Sequence, residues 1–152
     1  MKLFLNLIFL NYPLRFQLSL SQPVQATCYP EEIMTDMPYP IYPQGLYNAI
    51  RDISILDVPI YITENGIADN KDDRRDIFLR SYIQAMFKAI EEGYDVRGYY
   101  YWTFSDNFEW DEGFSMKFGL YSVNFDNQEK TLKKGAEFFK QVIQNSKKST
   151  IT

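Results

Sequence analysis

Residues 60–66 read IYITENG, and the acid among them is out of place. Three of the four residues before Glu64 are apolar or aromatic, as in a strand built for burial. Yet the run closes on a bare carboxylate, an amide and a glycine. A second ending of this kind lies further on. Residues 96–104 read VRGYYYWTF, and the chain then passes into SDNFEW, which supplies Asp106, Glu109 and Trp110 beside Trp102. Carboxylates next to indoles suit a sugar, because a pyranose offers C–H faces that stack on aromatic rings and hydroxyls that seek charged acceptors. A carboxylate held rigidly under such a ring can attack the anomeric carbon, the nucleophile's task in a retaining glycosidase. Plainer readings stand beside these. Glu64 can be an ordinary exposed acid after a strand, and Trp102 and Trp110 can be core.

Composition narrows the chemistry. The 152 residues contain no histidine, which removes His-based triads, His metal ligands and the commonest general base. One cysteine, Cys28, permits neither an internal disulfide nor a thiolate metal cluster, and with no His partner it is read as chemically idle. No metal and no cofactor is expected. A net charge of −4 with no basic block makes nucleic acid an unsuitable partner. Aromatics reach 17%, enough for either a stable core or a stacking surface. What chemistry there is must come from carboxylates and aromatic rings.

The elements that would position these residues follow from periodicity. Residues 44–54 space Leu46, Ala49, Ile50 and Ile53 as a short amphipathic helix, and residues 58–62 form a buried β-branched strand. Residues 70–93 predict a long helix with its acids first and Gly93 as its stop. Its apolar face carries Phe78, Leu79, Tyr82, Ile83, Met86, Ala89 and Ile90. Residues 96–104 are a second buried strand, residues 118–126 a short third strand, and residues 131–143 a final helix through Leu132, Ala136, Phe139 and Ile143. Five of the seven prolines fall in residues 21–43, which read as irregular. Strand, long helix, strand predicts parallel strands with a right-handed crossover. Function in such folds sits at the carboxyl ends of the strands, so adjacency would bring Glu64, Trp102, Asp106, Glu109 and Trp110 to one mouth.

YITENG, followed by YYYWTFSDNFEW and GFSMKFGLYSVNF, resembles the C-terminal part of glycoside hydrolase family 1, the retaining β-glucosidases and β-galactosidases. TDMPYPIYPQGLYNAI resembles the family's helix before the nucleophile strand, so the likeness runs from about Thr35 to about Gln144. The fold it implies is α/β: the last two βα units of a (β/α)8 barrel. By that resemblance Glu64 is the nucleophile that forms the glycosyl–enzyme intermediate, and Trp102 floors the sugar subsite. Glu109 accepts the outer hydroxyls, Trp110 contacts the sugar beside it, and Phe118 closes the subsite. Asp106 and Asn107 shape the loop. Family members acting on 6-phosphorylated sugars usually replace the acid at the position of Glu109, so its presence implies an unphosphorylated β-glycoside as substrate.

The resemblance also implies a second carboxylate, the acid/base in an Asn-Glu-Pro motif on an earlier strand, and no Asn-Glu-Pro occurs in the 152 residues. We therefore expect half of a catalytic pair, a chain inactive alone, and the preceding part of the barrel as a partner. The organisation expected is an unmatched extension over 1–30, barrel over 31–146 and a tail over 147–152. Residues 1–10 are too short to span a bilayer. The extension is read as cytoplasmic and ill-fitting, from a misplaced start, with a signal peptide ending near Ala26 and secretion as the alternative. Two rival functions remain: a non-catalytic sugar-binding remnant using Trp102, Glu109 and Trp110, and the product of a truncated gene.

Overall fold

A computed structural model describes residues 30–149 and, by backbone alone, three short strands before them. Cys28 lies outside the described residues. In chain order the elements are β1 (Leu3–Asn6), β2 (Phe16–Ser19), β3 (Gln22–Ala26), α1 (Pro43–Ile53), β4 (Ile60–Asn65), α2 (Arg75–Glu91), β5 (Val96–Tyr101), β6 (Tyr121–Val123), β7 (Lys130–Leu132) and α3 (Glu137–Ser149). The main sheet has the order β1-β4-β5, all parallel, while β2 pairs with β3 and β6 with β7 as antiparallel ribbons.

Each helix forms where the sequence allows it. Pro43 opens α1 with its φ already helical and no N–H to waste, and the helix buries Leu46 and Ile50. The long helix α2 buries Phe78, Leu79, Tyr82, Ile83, Met86 and Ala89 along one stripe, and stops at Gly93, whose φ of +96° suits only glycine. Ile90, placed on that stripe from spacing, sits at its exposed margin. α1 packs on α2, and both cover the face of β4 that carries Ile60 and Ile62. Phe78 stacks on Tyr82 with ring centroids 4.0 Å apart and meets Tyr101 edge-on at 6.2 Å, which joins α2 to the end of β5.

The observed boundaries correct several expectations. The strand expected over 58–62 runs on to Asn65, so Glu64 belongs to it. The strand expected over 96–104 ends at Tyr101, and the one expected over 118–126 shortens to Tyr121–Val123. Residues 131–132 are not helical. They belong to β7, which pairs back on β6, and α3 begins only at Glu137 after a turn at Lys134–Ala136. Apolar residues at helical spacing hid a three-residue strand too short to show an alternating pattern of its own. α3 then runs to Ser149. The proline-rich stretch contains β3, and residues 3–6, within the stretch read as an ill-fitting extension, add a parallel strand beside β4.

Candidate active site

The alternation of β4 explains its odd ending. Ile60 and Ile62 are buried and Tyr61 and Thr63 half-buried, so a strict period of two would bury residue 64 in the helix-facing core. The ladder to β5 slips between Ile62 and Asn65, and the ladder to β1 skips Thr63. That irregularity turns the strand, so Asn65 takes the buried position and Glu64 stays half-buried and open to solvent. A bulge next to the carboxyl end of a strand is a device for aiming a side chain.

β5 ends alongside. The N–H of Trp102 donates to the carbonyl of Asn65 at 3.1 Å, and the Tyr99 hydroxyl donates to Asn65 Oδ1 at 2.7 Å. Burial pushes the Tyr99 phenol well above its ordinary value, so it stays protonated and keeps donating. The two strand ends lie so close that a Cβ on Gly66 would fall 1.6 Å from the Trp102 carbonyl oxygen. Only glycine fits there, which accounts for the last letter of the Glu-Asn-Gly run. The Trp102–Thr103 peptide is cis.

From Thr103 the chain makes a loop that returns at Phe118–Leu120. Its neck is closed by Thr103 N–H to the Phe118 carbonyl at 3.4 Å and Leu120 N–H to the Thr103 carbonyl at 2.9 Å. Asp106 is buried. Its Oδ1 accepts from the Gly119 N–H at 2.9 Å and from Lys133 Nζ at 2.7 Å, a nearly buried ion pair that pins the loop to β7. Asp106 therefore shapes the loop, as the sequence reading had it.

Glu109 lies within electrostatic reach of Glu64. Burial raises the Glu109 carboxyl above its ordinary value, the Trp102 indole N–H opposes this, and the charge of Glu64 adds to it. The indole N–H stands beside the Glu109 carboxylate yet outside hydrogen-bonding geometry. Trp102 Nε1, Asn65 Nδ2 and Asn107 Oδ1 are buried with no hydrogen-bond partner among the described residues. The indole N–H, a donor without an acceptor beside Glu109, is chemically suited to a hydroxyl oxygen.

The structure thus brings Glu64, Trp102 and Glu109 together. It places Trp110 differently: at 82% exposed, in the turn at Trp110–Glu112, it faces solvent. Phe118, at 1% exposed, is core and offers almost no surface to a ligand. Sequence reasoning missed the residues that hold the site. Asp69 accepts from the N–H groups of Arg74 and Arg75 at 3.0 and 2.8 Å and so caps α2 from a turn upstream. Arg75 is wholly buried. The only sequence signal was an Asp72–Arg75 pair at helical spacing, which normally reads as surface charge. Among the described residues no group of three acids or cysteines could hold a metal ion.

A parallel sheet with helices on one face and carboxylates with an indole at the carboxyl ends of its strands is the layout of an α/β-barrel enzyme that works on sugars. Residues 14–148 match glycosyl hydrolase family 1, and the chain belongs to that family. It is 42% identical over 114 residues to a β-galactosidase of Pyrococcus woesei, covering 74% of this chain and 22% of that one. The β-glycosidase structure from Pyrococcus horikoshii superposes with a TM-score of 0.70 at 44% identity, over 75% of this chain and 27% of that one. A GH1 β-glucosidase structure from Exiguobacterium antarcticum B7 gives 0.76 at 33% identity, over 87% and 32%. The fold is that of these enzymes, and the chain spans between about a fifth and a third of their length.

Proposed function

We propose that this chain supplies the last two βα units of a retaining β-glycosidase barrel, with β4 and β5 as the strands that carry its chemistry. Glu64 is the nucleophile: it attacks the anomeric carbon of a terminal, unphosphorylated β-D-glucosyl or similar sugar as the bond to the aglycone oxygen breaks and that oxygen takes the proton of the acid/base. Water, giving its proton back to that group, later releases the sugar from the ester so formed. Trp102 floors the sugar subsite, Glu109 accepts its outer hydroxyls, and Trp110 completes it, while Phe118 backs the loop neck from the core. Trp110 does so only after its loop turns inward. The observation that carries this reading is the bulge in β4, which lifts Glu64 out of the core beside Trp102 and within electrostatic reach of Glu109.

The acid/base belongs to an earlier part of the barrel, in keeping with the absence of Asn-Glu-Pro from these residues. Without it the chain loses the roughly 10²- to 10⁴-fold that general acid–base help provides. Purified alone, the chain should not turn over an aryl β-glucoside. Co-expression with the preceding part of a family 1 barrel, carrying Asn-Glu-Pro, should restore turnover that Glu64→Gln abolishes. Turnover that survives Glu64→Gln would overturn the assignment.

A further inference from the structure

We propose that Arg75 is a positioning residue that fixes the loop bearing Trp102 and Glu109 against the strand bearing Glu64. This rests on the reading of those three residues as the sugar site. Arg75 is 0% exposed, and its guanidinium has an acceptor for every N–H. Nε donates to Asp72 Oδ1 at 3.0 Å. Nη1 donates to the Phe118 carbonyl at 3.1 Å, to the Ile67 carbonyl at 3.3 Å and to the Tyr101 hydroxyl. Nη2 donates to the Asp69 carbonyl at 3.0 Å and the Lys117 carbonyl at 2.9 Å.

These acceptors are distributed in a telling way. Ile67 and Asp69 lie just beyond Glu64, Lys117 and Phe118 end the loop that begins at Thr103, and Tyr101 immediately precedes Trp102. Two of the carbonyls already serve a cross-link between the segments. The Phe118 oxygen also accepts from the Thr103 N–H, and the Lys117 oxygen also accepts from the Asp69 N–H at 3.1 Å. The cation therefore reinforces the contacts that set the distance between the two strand ends. A planar fork does this at fixed angles, which the single ammonium of lysine cannot reproduce. An anchor for α2 alone would need only Asp72 and the carbonyl of Asp69. The bonds to Phe118, Lys117 and Tyr101 reach across to the far side of the site.

The test reads the loop, not activity. The chain has two tryptophans, so Trp110→Phe leaves Trp102 as the single fluorophore. In that background Arg75→Met should raise the acrylamide quenching constant of Trp102 about twofold as the neck opens locally. Tyr101→Phe, which removes one acceptor and no charge, should raise it less. Leu46→Ala, a core deletion under α1, should lower global stability and leave Trp102 quenching unchanged. If Arg75→Met does not fold, Tyr101→Phe decides. Unchanged quenching in the arginine or tyrosine variant, or an equal rise in Leu46→Ala, overturns the proposal. None of these outcomes depends on sugar, so a failed Glu64 assignment and a failed Arg75 assignment remain separable.

Discussion

Glu64 stays out of the core because of what its two neighbours do. Asn65 takes the buried position and binds Tyr99, and Gly66 lets the Trp102 carbonyl pass at a distance no side chain could tolerate. Gly66→Ala should therefore destabilise the chain by at least about 3 kcal/mol, the upper range for overpacking, and move Trp102 as the strand ends part. A fall in the urea midpoint with a shifted Trp102 emission would show it. Glu109 provides a second prediction. Its folded pKa is raised above the ordinary 4.5, first by burial and then by Glu64, against the opposing indole N–H. Between 4.5 and the raised value the folded chain holds the extra proton, so stability falls as pH rises through that window and levels above it. Glu109→Gln should remove this slope in a series of urea titrations.

At the scale of elements, α2 depends on an acid outside it. Burial alone would raise the Asp69 carboxyl, but the N–H groups of Arg74 and Arg75 and the charges of both guanidiniums hold it below its ordinary 3.8. Its contribution is thus fully present above 3.8 and is lost as pH falls through the lowered value. Asp69→Ala should cost about 2 kcal/mol at neutral pH, the loss of a strong helix cap, and flatten the acid limb of a stability–pH curve. How far such features were legible depends on their signal. The helices at Pro43–Ile53 and Arg75–Glu91 announce themselves by apolar spacing, and the trio proposed for the sugar site by residue type at strand ends. The bulge at Thr63 does not, because one slipped residue leaves the apolar pattern of Ile60 and Ile62 intact. Nor does β7, since Leu132 fits the helical spacing of Ala136 and Phe139. The burial of Arg75 is set by carbonyls more than forty residues away, which no local pattern encodes.

At the scale of the molecule, the sheet is asymmetric. Among the described residues β5 has a strand neighbour only on the β4 side, and Tyr100 and Phe104 there stand 58% and 61% exposed. A groove of about 460 Å³ runs beside them, lined by Tyr99, Tyr101, Leu120 and Phe139. An unpaired edge with an apolar flank invites another strand. A charge on that edge, Tyr100→Lys, should reduce concentration-dependent association of the purified chain, seen by light scattering, without changing its helix content.

The other edge of the Glu64 strand is occupied. β1 lies parallel to β4 with Leu3 opposite Ile60 and Asn6 opposite Glu64. The peptide groups of β4 that lead up to its bulge are therefore flanked by strands on both sides, and their amide protons should be among the slowest in the chain to exchange with deuterium. β1 thus acts as a splint along the strand that carries the proposed nucleophile. A protein shortened to begin at Pro30 would keep every candidate site residue and still exchange the β4 amides faster.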